Sequence, residues 1–440
     1  MARTRVLIIG GGYVGLYAAL TLQRKAKHLV DVTVLDRRPY MTYQPFLPEA
    51  AAGSIEPRHA VVPLRKELKG VKILQARVAS IDHAARAVRA TTDFGDELTV
   101  TYDEIVIALG SVSRTLPIPG LKEFAIGFKY VEEAINLRNK VLGCIARAAT
   151  TDDPELRRRL LTFVFVGGGF AGVEAFAETE DMARAALRYY PEIDPAELHF
   201  VMVEAMGRIL PELGPDMGDY ARKQMRSRGM NVLLETRLES CEDGHIALSD
   251  GQTFEADTVV WTAGVKPAPI LAESDLPLGP KGHVIALPTL QVATETGTVV
   301  PGAWAAGDCA QVPDLTKDQP AYCAPSAQHA VRQARRLGTN LALHLKGRAP
   351  REYKHRHLGL VASLGLNKGV ADVMGIKLRG WPAWFMHRTY HLMQIPTFNR
   401  KARIALDWAA AVFFRRDLVS MGRLHQPRRA FTEAASSTSE

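Results

Sequence analysis

The chain has 440 residues, 47% of them hydrophobic and 23% charged. That length holds two or three domains with sizeable cores, and the composition excludes the disordered and fibrous classes. The formal charge of +8 is local: between Arg379 and Ala430 ten Lys or Arg stand against two acids, Asp407 and Asp417.

Four scattered cysteines (Cys144, Cys241, Cys309, Cys323) form no C-x-x-C pair. This argues against a disulfide framework and a zinc site, and it fits a reducing cytosol. The histidines form no metal-binding motif, so no metal is expected; His355 and His357 read as solvated or core residues. No secretory leader precedes the first strand, and no run of about 20 apolar residues offers a bilayer span.

In chain order, residues 6–9 are a four-residue apolar run, the pattern of a buried parallel strand. Gly10, Gly12 and Gly15 follow at G-x-G-x-x-G spacing and lead into a helical pattern. A second strand over 32–36 ends on Asp36, about 20 residues beyond the glycines, which completes a dinucleotide-binding βαβ unit. Gly10 serves the tight turn, Gly12 the approach of backbone N–H groups to a pyrophosphate, and Gly15 the packing of helix on strand. Asp36 is placed to accept hydrogen bonds from a ribose diol. Residues 37–53, rich in proline and aromatics, read as an irregular segment lying against the ligand. Short β-like runs fill 72–101, a buried strand leads to Gly110, and the breaker at 115–120 marks a domain crossing.

After an amphipathic helix over 132–149 and a Thr-Asp-Asp-Pro cap at 151–154, the opening pattern recurs. A strand over 161–166 runs into Gly167, Gly169 and Gly172, and a strand over 197–204 ends on Glu204. A duplicated domain of this kind implies two dinucleotides. Another buried strand ends at Gly264, and a further one reaches Gly307 and Asp308, an acid able to bind a ribityl or ribose hydroxyl. Pro325 opens a helix whose Ala and Gln residues fit either a flavin contact or simple helix formation.

The last hundred residues are basic and aromatic. A short strand over 359–365 and a segment carrying Trp381, Trp384, Phe385 and Tyr390 precede an apolar stretch at 404–414, bracketed by Arg400, Lys401, Arg403, Arg415 and Arg416. Eleven helical residues reach about 16 Å, about half a hydrocarbon core. Such a helix suits the surface of an anionic membrane; a homodimer helix with a solvated basic rim is the competing reading. No nucleic-acid partner is expected, since no binding module accompanies the charge. The polar tail, 431–440, reads as disordered.

Together these motifs resemble the two-dinucleotide-binding flavoprotein reductases and, within them, the type II NADH dehydrogenases (NADH:quinone oxidoreductases). The resemblance spans roughly residues 4–424. It rests on both glycine fingerprints, the 43–53 and 102–111 segments, the Gly-Val-Glu ending at Glu174, the 261–265 and 306–308 stretches, the Ala327-Gln-His-Ala330 element and the basic C-terminus. It implies an α/β fold of two Rossmann-like domains plus a C-terminal membrane-associating region. The implied division is 1–118 and 276–350 for FAD, 119–275 for NADH, and 351–430 for a membrane or dimer region.

The resemblance implies FAD on Gly10, Gly12, Gly15, Asp36, Arg37, Pro45, Gly110, Asp308, Ala327 and Gln328. It implies NADH on Gly167, Gly169, Gly172, Glu204 and Gly264, where the Glu204 carboxylate disfavours a 2′-phosphate although Arg208 lies near. Glu174 and Gln328 would stand at the flavin and the headgroup of a membrane quinone, menaquinone or ubiquinone. Glu174 is then a candidate proton donor, or else a helix-start acid favoured by the dipole. One position departs from the family: Arg332 stands where many relatives carry a second glutamine, with Gln333 following. The implied enzyme is peripheral, on the cytoplasmic face of the cell membrane, and pumps no protons. Competing classes are a dithiol reductase, which needs cysteines absent from 37–60; a sulfide:quinone oxidoreductase using Cys309 and Cys323; and a slow NADH-binding protein of apoptosis-inducing-factor type.

Overall fold

A computed structural model describes residues 2–355 and 359–420; His357 and the 431–440 tail lie outside the described residues. The chain opens with β1 (Thr4–Ile9), α1 (Tyr13–Ala26) and β2 (Val30–Asp36), then a short helix α2 (Leu47–Ala51), β3 (Lys72–Gln75) and β4 (Glu104–Ile107). Val6 to Ile9 and Ile105 to Ile107 are buried, as strands covered on both faces require. Residues 77–101 form a separate three-stranded antiparallel sheet.

The second unit runs through β5 (Ile126–Gly127), α3 (Val131–Ala148), β6 (Thr162–Val166), α4 (Phe170–Ala186), β7 (His199–Val203), β8 (Asn231–Leu233) and β9 (Thr258–Trp261). The chain then returns to the first sheet with β10 (Gln291–Ala293) and β11 (Val299–Ala305), followed by α5 (Ala327–His344). It ends in β12 (Gly359–Ser363), β13 (Gly369–Val373), β14 (Ile376–Arg379), α6 (Trp381–Gln394) and α7 (Phe398–Phe414).

Strand order in the first sheet is β10-β11-β4-β1-β2-β3, parallel except for the β10–β11 pair. In the second it is β5-β9-β6-β7-β8, all parallel. The register aligns Ile9 with Leu35 in one sheet and Val166 with Val203 in the other, so both glycine turns leave the carboxyl edge of a central strand. Helix α5 packs along α1. Gly338 permits this: a Cβ there would lie 2.8 Å from the Thr21 Cβ.

The cap expected at 151–154 is present, with the Asp153 side chain accepting from the N–H groups of Glu155 and Leu156. The C-terminal helix is longer than its apolar stretch suggests. Thr397 caps it by accepting from the Arg400 N–H, and seventeen residues extend about 26 Å. Among the described residues no helix is long and apolar enough to cross a membrane.

The local basicity is partly consumed inside the fold. Arg388 meets buried Glu49 and Arg416 meets buried Glu178, while Arg379 pairs with Asp216 at the surface.

Candidate dinucleotide sites

The two βαβ units share the same geometry at the turn. Gly10 and Gly167 take φ of +104° and +109°, the left-handed region that suits glycine. A Cβ on Gly15 would fall 1.9 Å from the Gly10 carbonyl oxygen, and one on Gly172 would fall 1.9 Å from that of Gly167. Gly12 and Gly169, by contrast, face open space. They begin α1 and α4 with no side-chain cap and no acid in the first turn, which leaves helix N–H groups directed outward for phosphate.

Each unit also holds its strand-end acid in the same way. Asp36 accepts from the N–H groups of Gly11 (2.6 Å) and Arg38 (2.7 Å). Glu204 accepts from those of Gly168 and Met206. Burial pushes the Asp36 carboxyl upward, opposed by those two N–H groups and the Arg38 charge.

The first cradle opens into a cavity of about 190 Å³, lined by Gly10, Gly12, Asp36, Gly110, Asp308 and Ala327 among the expected residues. Gly15 sits behind the turn. Arg37 is exposed beside Asp93, and its neighbour Arg38 faces the cavity instead, stacked 3.8 Å over Tyr130 and bonded to Glu132. Likewise Gln44 rather than Pro45 lines the wall.

Among the lining residues with no expected role, Lys129 and Ser111 stand out by their hydrogen bonds. The Lys129 ammonium donates to the Ser111 hydroxyl at 2.8 Å, and that hydroxyl donates to Asp308 at 2.8 Å. Burial holds the Lys129 amine below its ordinary value. Ser111 directly follows the Gly110 motif, whereas nothing in the sequence marks Lys129.

The α5 element divides its roles. Ala327 and Ala330 face the cavity. Gln328 Oε1 lies 3.0 Å from His355 Nε2 and is not among the cavity-lining residues. Gln333 is buried, and its side-chain oxygen accepts from the Gly307 N–H at 2.8 Å, which fixes the turn that carries Asp308. Arg332 donates to the Gln328 carbonyl.

In the second unit, Gly264 has φ +91° and its carbonyl accepts from the Arg114 N–H. Arg208 donates to the Pro211 carbonyl, three residues along its own loop. Glu174 is not a helix-start acid open to solvent. It is buried on α4, accepts from the Ser363 N–H of β12 at 2.9 Å and faces His387.

None of the four cysteines is paired. Burial pushes the Cys309 thiol up to about 12 while it donates to the Ile107 and Ala306 carbonyls; burial also pushes Cys323 up to about 11.

The family model for pyridine nucleotide-disulphide oxidoreductases matches residues 4–334. A probable NADH dehydrogenase of Dictyostelium discoideum is 28% identical over 422 residues, covering 94% of this chain and 91% of that protein. A type II NADH:quinone oxidoreductase of Mycobacterium tuberculosis is 28% identical over 421 residues, covering 92% and 87%. In fold, the chain is similar to NDH2 from Plasmodium falciparum in complex with NADH, with TM-score 0.88 and 16% identity over 95% of this chain and 100% of that one. The sulfide:quinone oxidoreductase of Aquifex aeolicus follows at TM-score 0.68 and 17% identity over 94% and 96%. With three quarters of its length matched by one family model and both glycine cradles built alike, the chain belongs to the pyridine nucleotide-disulphide oxidoreductase family.

Proposed function

We propose that this chain is an FAD-dependent NADH:quinone oxidoreductase. The observation that carries the reading is the duplicated cradle, one copy opening into a cavity that Asp308 helps to line and the other presenting the same open helix start at Gly169. The first cradle fits FAD: the Gly12 helix start takes the pyrophosphate, Asp36 the adenosine ribose, and Asp308, oriented by Ser111 and Gln333, the ribityl chain. Gly167, Gly169 and Gly172 take NADH, with Glu204 on its ribose. Bound flavin supplies the redox chemistry, accepting a hydride from NADH and passing two electrons to a quinone. The chain contributes orientation, exclusion of water and a proton donor at Glu174, with Gln328 at the quinone end.

The C-terminal helices support docking on a membrane surface, which the reading puts at the cytoplasmic face. Phe413 and Phe414 are 79% and 85% exposed, and Trp381, Phe385, Leu406 and Val412 are exposed too. With no described helix able to cross, the reading includes no transmembrane proton path. A homodimer through the same face is the competing use of these residues. A sulfide:quinone activity is disfavoured by Cys309, which is buried and held as a neutral thiol.

The test is steady-state NADH oxidation by the purified chain with menaquinone and ubiquinone analogues, with the released flavin identified by spectrum and mass. Rapid quinone-dependent turnover is expected, with the KM for NADH raised at least tenfold in Gly169→Val. Quinone reduction driven by sulfide but not by NADH would overturn the reading.

A further inference from the structure

A buried line of titratable side chains joins the helix of the second cradle to the segment that walls the first cavity. His387 and His391 lie one turn apart on α6 with ring centroids 4.6 Å apart. His387 is 1% exposed, and its Nε2 stands 2.9 Å from Glu174 Oε1. Neither ring nitrogen completes a hydrogen bond among the described residues, and Nε2 is near enough to Glu174 to make one on a small turn of the ring. His391 Nδ1 meets the Tyr43 hydroxyl at 3.1 Å. Tyr43 is buried between Thr42 and Gln44, both of which line the cavity.

The charges around this line are unequal. Glu49 on α2 is bonded by Arg388 and by the Trp408 indole, and Glu178 on α4 by Ser363 and Arg416. Among the described residues only Glu174 of these three acids lacks an arginine, and it faces His387. Burial would lower His387, but Glu174, with Glu49 and Glu178 behind it, outweighs burial and holds it above the usual imidazole range. Burial, reinforced by His387, holds His391 well below that range. Burial keeps the Tyr43 phenol protonated, and the phenols near it are Tyr13, Tyr17 and Tyr390. Two unlike histidines one turn apart, one suited to hold a proton and one suited to pass it on, serve little purpose as packing.

We propose that Tyr43, His391 and His387 form a proton relay ending on Glu174 and serving the quinone-reducing half of the reaction. The inference rests on the proposed function. Quinone takes two electrons and two protons to become quinol. Reduced flavin, when bound, would release two electrons and two protons: the electrons go to the quinone and the protons enter the relay at Tyr43 from the cavity side, one for each quinol O–H, so no further oxidant or reductant enters. The Tyr43 O–H breaks toward His391 Nδ1 and is re-formed by a proton taken from the cavity side. The proton gained at His391 Nδ1 frees the one on its Nε2: that N–H breaks as the His387 Nδ1–H forms, between rings whose centroids are 4.6 Å apart. The His387 Nε2–H breaks as the Glu174 O–H forms, and the Glu174 O–H breaks as the quinol O–H forms.

The test is stopped-flow kinetics on the full-length holoprotein with a water-soluble quinone, comparing His391→Gln and Tyr43→Phe with the parent. NADH should reduce the flavin in both within twofold of the parent rate. Reoxidation by quinone should slow at least tenfold and lose its pH dependence. In a ¹⁵N-histidine-labelled holoprotein, Glu174→Gln should move one imidazole titration to lower pH without any turnover. Unchanged reoxidation rates and pH profiles, or equal slowing of both half-reactions, would overturn the relay. Should His391→Gln fail to fold, Tyr43→Phe, which removes one hydroxyl, decides alone. A parent protein that NADH reduces but no quinone reoxidises would instead overturn the proposed function.

Discussion

At the scale of single residues, the two cradles separate glycines needed by the fold from glycines needed by a ligand. Gly172→Ala drives a Cβ to within 1.9 Å of a carbonyl oxygen. It should cost roughly 1–3 kcal/mol or more, read as a lowered denaturation midpoint. Gly169 begins α4 at φ −73° with nothing within 4 Å of its Cβ position. Gly169→Val should therefore keep the melting temperature within about 2 °C, while raising the KM for NADH at least tenfold.

The buried histidines predict opposed pH effects on stability. His391 is lowered in the fold, so the unfolded chain binds the extra proton. Its contribution is complete above about pH 6.5 and is lost as pH falls, by at most about 1.4 kcal/mol per pH unit. His387 is raised, so its contribution is complete below about pH 6.5 and is lost as pH rises through its folded value. Urea midpoints measured across pH should show the acid limb flattened in His391→Phe and the alkaline limb flattened in His387→Phe.

At the scale of elements, the C-terminal helices act in two directions. The inner face of α7 buries Ile404, and Asp407 meets the His59 ring at 2.5 Å and the Glu56 N–H. Trp408 donates to Glu49 at 2.6 Å. Ending the chain near residue 375 strips Arg388, Trp408 and Arg416 from buried acids, and losing one partner of a buried pair costs about 3–5 kcal/mol. Truncation therefore confounds anchoring with folding. Substituting Phe413 and Phe414 together by serine touches only the exposed face. The double variant should lose most of its co-sedimentation with phosphatidylglycerol vesicles while retaining flavin. Unchanged sedimentation would move the anchor elsewhere.

At the scale of the whole molecule, distant segments converge on one cavity. Residues 111, 129 and 308 meet in the Lys129–Ser111–Asp308 chain, where β4, the approach to α3 and the end of β11 come together. Lys129→Met should raise the Kd for FAD several-fold, measured by fluorescence titration of the reconstituted protein, because Ser111 and Asp308 lose the cation that orients them. Cofactor choice is expected to turn on the same kind of contact. Glu204 presents a carboxylate at the second cradle while Arg208 is tied to Pro211. A preference for NADH over NADPH of at least tenfold in kcat/KM is expected, and Glu204→Ala should narrow it.

Local pattern determined the parts governed by backbone geometry: the strand, glycine turn and helix of each cradle, the acids Asp36 and Glu204, and the Asp153 cap. These features repeat at short fixed spacing because sterics and hydrogen bonding over a few residues dictate them. The side-chain partners were decided by tertiary structure. Whether Arg37 or Arg38 faced the cavity depended on which way the chain left β2. Lys129 and Gln333 acquired roles only when β4, β11 and α5 met. The sequence marked Glu174, but its surroundings came from Ser363 and His387, about 190 and 210 residues away. Sequence distance carries no information about such contacts; folding two sheets against one C-terminal region creates them.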